Sequence, residues 1–387
     1  MALRKLKAKK KKTSKNATVM VFDPFAEEQF ISTSSLGFDV LLSEKALGVE
    51  VGSLVEIAGD SGCGKSTSMF AMACNQAREN DVKVVYVDAE GGIKPSHVRL
   101  NDAQELFHPD TTDLINEYGD KLSAFLEKAF DGYNMVVLQA NSFNGLDDIT
   151  KAIYSWTESH DEALVFIIDS LAFLSTTSEL DDSQADKAWV GQKAKAWRAW
   201  MTLNKINLNA HGVTTYFINH LTMQGIGGFL AKPKADSAGG SASKYGPDIR
   251  VFIKEGEKIL DKNEDIIGNE AKVYTKKCRN NISHRQVIIP LIKGTGPDNA
   301  RFIKNILNEQ DLVKFGAWTT FDFPFLDEPA KVQGSEGALD FIRKHEEDFT
   351  KYLHDEDLLS LSQIGEKVKE KSDESGEINP DDEDDED

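Results

Sequence analysis

The chain has 387 residues, enough for one large α/β domain with smaller appendages, and carries 45 Lys and Arg against 64 Asp and Glu, a net charge of −19. An acidic body offers nucleic acid no global attraction, so any DNA site has to be a local basic or stacking surface. Three cysteines without C-x-x-C spacing argue against a disulfide framework or a cysteine metal site and fit a reducing cytosol, and no apolar run approaches membrane-spanning length.

Residues 1–15 hold eight Lys or Arg and no acid, and they lack the apolar stretch of a secretory signal. Like charges repel and little apolar surface is available, so a disordered basic arm is expected over 1–27. The apolar run 54–58 then reads as a buried strand. It leads into Gly59, Asp60, Ser61, Gly62, Cys63, Gly64, Lys65 and Ser66, which fill every fixed position of G-x-x-x-x-G-K-[ST]. A helical pattern follows over 65–80, beginning with Lys65, Ser66 and Thr67. Glycines let backbone N–H groups turn toward phosphates, and the helix start adds partial positive charge. Lys65 is expected to reach the β- and γ-phosphates of a nucleoside triphosphate and Ser66 to ligate Mg²⁺.

The next strand pattern, 83–89, ends in Asp88-Ala-Glu90. Two carboxylates at this edge exceed what one magnesium requires, which makes Glu90 a candidate to polarise an attacking water. Asp88 and Glu90 capping the following turn is the other reading. Helical patterns at 122–130 and 146–159 flank a strand at 134–140. The run 163–169 places Asp169 at the end of a buried strand, where ligands of an open α/β sheet collect, as a candidate for Mg²⁺. A helix is expected over 186–209 and a strand over 213–219. That strand ends in Asn219-His220, a polar pair positioned to sense a γ-phosphate, although a lone histidine there is more often structural.

Past residue 245 the rhythm changes to strands at 248–254, 271–277 and 286–292, with a polar turn at 261–265, expected as antiparallel neighbours extending the sheet. Helical patterns return at 299–307 and 337–353 around an aromatic segment, 318–325. The fold class is therefore α/β, with a core over 28–296, a small C-terminal domain over 297–371 and an acidic disordered tail over 372–387, which holds ten Asp or Glu and no base.

The order of phosphate loop, Val87-Asp-Ala-Glu90, Ile168-Asp-Ser170, Ile218-Asn-His220 and Gly239-Gly240 resembles the RecA family of DNA strand-exchange recombinases. The approach, Ile31-Ser-Thr-Ser-Ser-Leu-Gly-Phe-Asp39, is similar too. The likeness covers about 28–293, and the divergence looks most like phage UvsX-type members, which would act in the bacterial cytoplasm during infection. The resemblance implies a RecA-like P-loop ATPase core with a mostly parallel central sheet. It also implies an ATP- and Mg²⁺-dependent enzyme that forms a homo-oligomeric filament on single-stranded DNA and pairs it with homologous duplex. A single-strand-binding protein and a loader are implied as partners.

Carried over by position, Glu90 would activate water, Ser66 and Asp169 would stand on the magnesium side, and His220 would couple the γ-phosphate to a DNA loop at 221–238. In that loop Ile226 or Phe229 would wedge between bases while Lys232 and Lys234 meet phosphates. A first DNA loop would end at Val190-Gly191. Lys277 and Arg279 match basic residues that reach a neighbouring subunit's nucleotide. Departures are Lys94, where the family often has an acidic or polar residue, and His97, which stands where an adenine-stacking Tyr is usual. Trp189, Trp197 and Trp200 are either base-stacking groups or, more often for aromatics on a helix, core. Two other classes share such a core. A ring helicase would carry an N-terminal domain before residue 28, and a non-catalytic mediator would not need Glu90.

Overall fold

In the computed structural model the described residues are 11–14, 17–19, 28–43, 48–79, 82–119, 121–181, 191–224, 234–279 and 283–359. Ten strands among them form one sheet: β1 (Leu54–Gly59), β2 (Lys83–Asp88), β3 (Met135–Leu138), β4 (Leu164–Asp169), β5 (Val213–Gln224), β6 (Lys234–Ser237), β7 (Ile249–Leu260), β8 (Ile266–Cys278), β9 (Gln286–Ile292) and β10 (Gly296–Pro297). Their order is β10-β9-β8-β7-β1-β5-β4-β2-β3, with β6 paired to β5. The pairs from β7 through β1, β5, β4 and β2 to β3 are parallel; β8, β9 and β10 add antiparallel neighbours. This is the mostly parallel sheet with an antiparallel extension expected from the sequence.

The parallel strands read as unbroken apolar runs because both faces are covered. Every residue of β1 and β4 is buried. The helix α1 (Lys65–Glu79) packs Met69, Phe70, Met72 and Ala73 into one apolar cluster. The helices α2 (Phe143–Ser159) and α3 (Gln192–Ala210) cover another, with Ile149, Ile153, Trp197 and Trp200 at its centre. Within residues 99–133 the chain forms short helices at Thr111–Tyr118 and Leu122–Ala129. The second buries Phe125 and Leu126 in that α2–α3 cluster.

Several boundaries move from the expected ones. α2 starts three residues early because Ser142 caps it, accepting from the Gly145 N–H at 3.2 Å. β7 and β8 run beyond the sheet as a hairpin, closed by Asp261, whose carboxylate accepts the N–H groups of Asn263 and Asp265. β5 continues to Gln224 because β6 pairs with it, an element that no alternation in the sequence announces. The single helix expected over 337–353 is two helices, α5 (Gly334–Lys344) and α6 (Glu346–Asp355), broken at His345. The break wraps Phe341 and Phe349 around Phe321, with ring centroids 4.5 and 5.8 Å away. α4 (Asn299–Glu309) buries Phe302 and Ile303 in the same cluster as Phe38 and Ile289, so the C-terminal segment is fastened to the sheet edge by a shared core. In the approach segment Asp39 accepts from the Ser32 and Thr33 hydroxyls and the Thr33 N–H, and burial raises its carboxyl to about 7.

Candidate nucleotide site

Parallel register brings the separated motifs to one edge. Gly59 lies beside His220, Ala58 beside Asn219 and Asp88 beside Asp169. Gly59, Asp88 and Asp169 end their strands here while β5 runs on past His220, and this edge is the place where an α/β sheet leaves a crevice. The phosphate loop turns through Gly62 and Gly64, at φ 81° and 94°, a region in which a side chain is strained. Gly59 has a different reason to be glycine: a Cβ there would stand 2.5 Å from the Ile253 carbonyl and 2.8 Å from Cys63 Sγ. Cys63 is buried, and burial raises its thiol above the ordinary value, which leaves a neutral packing residue inside the loop. Lys65 Nζ donates to the Gly59 and Asp60 carbonyls at 3.0 and 2.6 Å.

Ser66 Oγ donates to Asp169 Oδ1 at 3.1 Å, and the Tyr86 hydroxyl donates to Asp169 Oδ2 at 2.7 Å. Burial pushes the Asp169 carboxyl up, and those two hydrogen bonds oppose it. A hydroxyl beside a carboxylate at the start of a phosphate loop is the donor set a magnesium ion shared with a nucleotide uses, so these residues fit the group. Tyr86, on β2, is a contributor that the motif reading did not include; an aromatic in a buried strand carries no mark of its hydroxyl's partner.

The two carboxylates at the end of β2 are placed differently. Asp88 is buried and spends both oxygens on the turn, accepting from the N–H groups of Gly92 and Ile93 at 3.0 Å each. The capping reading is thus met by Asp88. Glu90 is exposed, and its charge acts on both Asp169 and His220. His220 Nε2 is enclosed without a hydrogen-bond partner among the described residues, an orphaned polar atom at the crevice. Burial and the nearby Lys65 ammonium hold its ring below the ordinary imidazole pKa, with Glu90 pulling the other way. His97 lies on the short helix Pro95–Leu100, its ring 6.4 Å from Phe70 of α1, and its Nδ1 accepts the Lys94 N–H.

Of the residues assigned to DNA contact, Val190, Ile226, Phe229 and Lys232 lie outside the described residues, as does Trp189, and Lys234 opens β6. Gly191 caps α3 at φ 84°, and Gly239 and Gly240 also take positive φ. A Cβ on Gly239 would meet Ser243 Oγ at 2.3 Å and Trp197 Cδ1 at 3.2 Å. Trp197 and Trp200 are stacked on each other at 5.1 Å and buried, so they belong to the core rather than to a base-stacking surface.

Lys277 is the penultimate residue of β8 and Arg279 follows the strand. Lys277 is level with Arg250, which is level with Glu56, midway along β1. Arg279 pairs with Asp248 at 3.3 Å, and Asp248 in turn accepts the Leu54 N–H. Leu54 is five residues from Gly59, about 16 Å along a strand. Lys277 Nζ donates to the Tyr245 and Pro247 carbonyls, and burial together with the neighbouring Arg279 and Lys205 lowers its pKa.

Behind the crevice, Glu56 is fully buried in β1 and bonded to Arg250 Nε at 2.5 Å and Asn219 Nδ2 at 2.9 Å. Removing one partner of such a pair costs about 3–5 kcal/mol, because the other charge is stranded. Sequence reasoning passed over Glu56 although a signal was present: an acid inside Leu54-Val-Glu-Ile-Ala58 has to find a partner.

Residues 133–298 match the family model of the RecA N-terminal domain. The chain is 26% identical over 329 residues to Protein RecA of Gluconobacter oxydans (strain 621H), spanning 84% of this chain and 82% of that one. It is 25% identical over 327 residues to Protein RecA of Salinispora tropica, spanning 83% and 80%. With Protein RecA of Mycoplasma mycoides it shares 26% identity over 287 residues, 73% of this chain and 72% of the relative. Among the described residues no helix is long and apolar enough to cross a membrane.

Proposed function

We propose that this chain is a RecA-family recombinase, a DNA-dependent ATPase that polymerises on single-stranded DNA and catalyses homologous pairing and strand exchange. The observation that carries the reading is the arrangement of the two ends of β1. The phosphate loop, Glu90, Asp169 and His220 gather at one end, while Arg279 stands near the other and Lys277, level with Glu56, turns its ammonium away to the Tyr245 and Pro247 carbonyls. A site of this kind is completed only when copies stack head to tail, and such heterologous contacts generate filaments.

In this reading the loop's N–H groups and Lys65 hold the phosphates, Ser66 and Asp169 hold magnesium, and Glu90 orients water. Bound magnesium supplies neutralisation of phosphate charge. His220 Nε2 meets the γ-phosphate side and passes its state to the β5–β6 ribbon, part of the DNA loop 221–238. A single-strand-binding protein and a loader act on the same filament, and a histidine at 220 supports a phage-type member.

The decisive experiment incubates the protein with ATP, circular single strands and homologous linear duplex. Joint molecules, with filaments by electron microscopy, are expected. Rings that unwind duplex, or binding without exchange, would overturn the reading.

The electrostatics of His220 give a pH expectation. Its pKa is lowered on folding, so below 6.5 the unfolded chain binds more protons, and stability is lost as pH falls from 6.5 toward the folded value. A protonated ring would also add a second cation beside Lys65. DNA-stimulated turnover is therefore expected to be level above pH 7 and to fall on the acid side. His220→Gln should keep turnover at pH 7.5 and flatten the acid limb of the pH–rate profile; an acid limb identical to the parent's would remove His220 from that role.

A further inference from the structure

Four buried side chains link the phosphate-loop strand to the base of the β5–β6 ribbon. Glu56 is 0% exposed, Asn219 0%, Ser237 0% and Arg250 6%. Glu56 uses one carboxylate oxygen for Asn219 and the other for Arg250. Asn219 Nδ2 also donates to the Ala238 carbonyl at 2.7 Å, and Arg250 Nη2 donates to Ser237 Oγ at 2.8 Å. The backbone closes the ring, since the Ala238 N–H donates to the His220 carbonyl at 3.0 Å. The ribbon's returning strand is therefore tied to β1 through two separate arms, both anchored on one carboxylate three residues before Gly59.

Beyond the ribbon, Gly239 takes φ 99°, and a Cβ on it would stand 2.3 Å from Ser243 Oγ and 3.2 Å from Trp197 Cδ1 of α3, a tight seat. The exit of the ribbon is thus fixed on β1 on one side and on α3 on the other. A buried ion pair is a poor device for stability alone, because desolvation of both charges consumes much of the attraction. What it does well is hold a geometry: a charge without its partner is so costly in the interior that the two move together. Packed cores respond to such displacement as rigid pieces rather than by continuous deformation.

We propose that Glu56, Arg250 and Ser237 form a positioning strut that makes the β5–β6 ribbon follow the phosphate loop, with Asn219 as its junction to His220. The proposal rests on the reading that nucleotide controls DNA binding. Its residues touch neither nucleotide nor DNA; they act through Gly59 and His220 at one end and through the ribbon at the other. A strut of this kind conveys a shift at the loop that a single flexible side chain at position 220 would dissipate.

The test measures the affinity of the full-length protein for a fluorescently labelled single-stranded oligonucleotide, with and without a non-hydrolysable ATP analogue. The variants are Arg250→Lys, which keeps the charge and loses the fork reaching Ser237, and Ser237→Ala, which removes one hydroxyl. Both are expected to bind the analogue as the parent does, yet to lose about fivefold or more of the nucleotide-induced gain in DNA affinity. A purely structural role would lower the melting temperature and leave that gain intact, and a gain retained in both variants overturns the strut alone. If Arg250→Lys does not fold, Ser237→Ala decides in the same two directions. A parent protein whose DNA affinity ignores the analogue would instead overturn the proposed function, and the strut with it.

Discussion

Replacing Lys277 or Arg279 by Ala is expected to lower DNA-stimulated ATP turnover by roughly 10³-fold or more, the scale of a basic finger supplied from outside the site. Nucleotide binding by the isolated subunit should be retained. The argument is geometric. β8 runs antiparallel to β7, and β7 parallel to β1, so the end of β8 returns to the start of β1, away from Gly59. Lys277 and Arg279 are held there by the Tyr245 and Pro247 carbonyls and by Asp248, with Lys205 sharing Asp248 at 2.6 Å. Three cations around one carboxylate leave an excess of positive charge that a phosphate from a neighbouring copy would match. Burial and like charge already lower the Lys277 pKa, so an arriving anion is favoured. Turnover unaffected by either substitution would remove the intersubunit role.

Glu90→Gln is expected to cost about 10² to 10⁴ in turnover, the usual contribution of a positioned general base, with ATP affinity preserved. The neighbouring acids are otherwise engaged: Asp88 holds the turn through both oxygens, and Asp169 is bonded by Ser66 and Tyr86. Glu90 is the exposed carboxylate at this edge whose charge reaches both Asp169 and His220. Steady-state phosphate release beside a nucleotide-binding titration separates the two quantities, and turnover near the parent's would dismiss Glu90 as the base. The two variants also test each other. Mixing Glu90→Gln with Lys277→Ala subunits should restore turnover, because some junctions then join an intact Glu90 to an intact Lys277. A site built within one subunit would stay dead in the mixture.

Much of this site is legible from the chain because its parts are local. The phosphate loop needs eight consecutive residues, and Asp169 and His220 each close an apolar run, which ends the strand at Asp169 although β5 continues to Gln224. The small misses are local too: Ser142 adds a turn to α2, and His345 splits a helix that periodicity alone runs through. The larger omissions are all long-range. Nothing near Arg250 announces that its partner is Glu56, 194 residues away. β6 has no pattern of its own and is a strand only because β5 extends to meet it. Trp197 looks the same as a base-stacking residue until Gly239 and Trp200 are seen packed on it.

By itself, then, the amino-acid order determined that a nucleoside triphosphate is the ligand expected, which strands alternate with which helices, and which acids close those strands. Those properties follow from backbone dihedrals, hydrophobic period and the spacing of a loop, all set within a dozen residues. Tertiary structure alone decided the assignments that depend on register. It separated Asp88, a turn cap, from Glu90, and set Gly59 beside His220. It also set Arg279 near the opposite end of β1 and turned the Lys277 ammonium to the Tyr245 and Pro247 carbonyls. Register arises from pairing strands far apart in the chain so that every apolar face is buried at once, and no single segment carries that information.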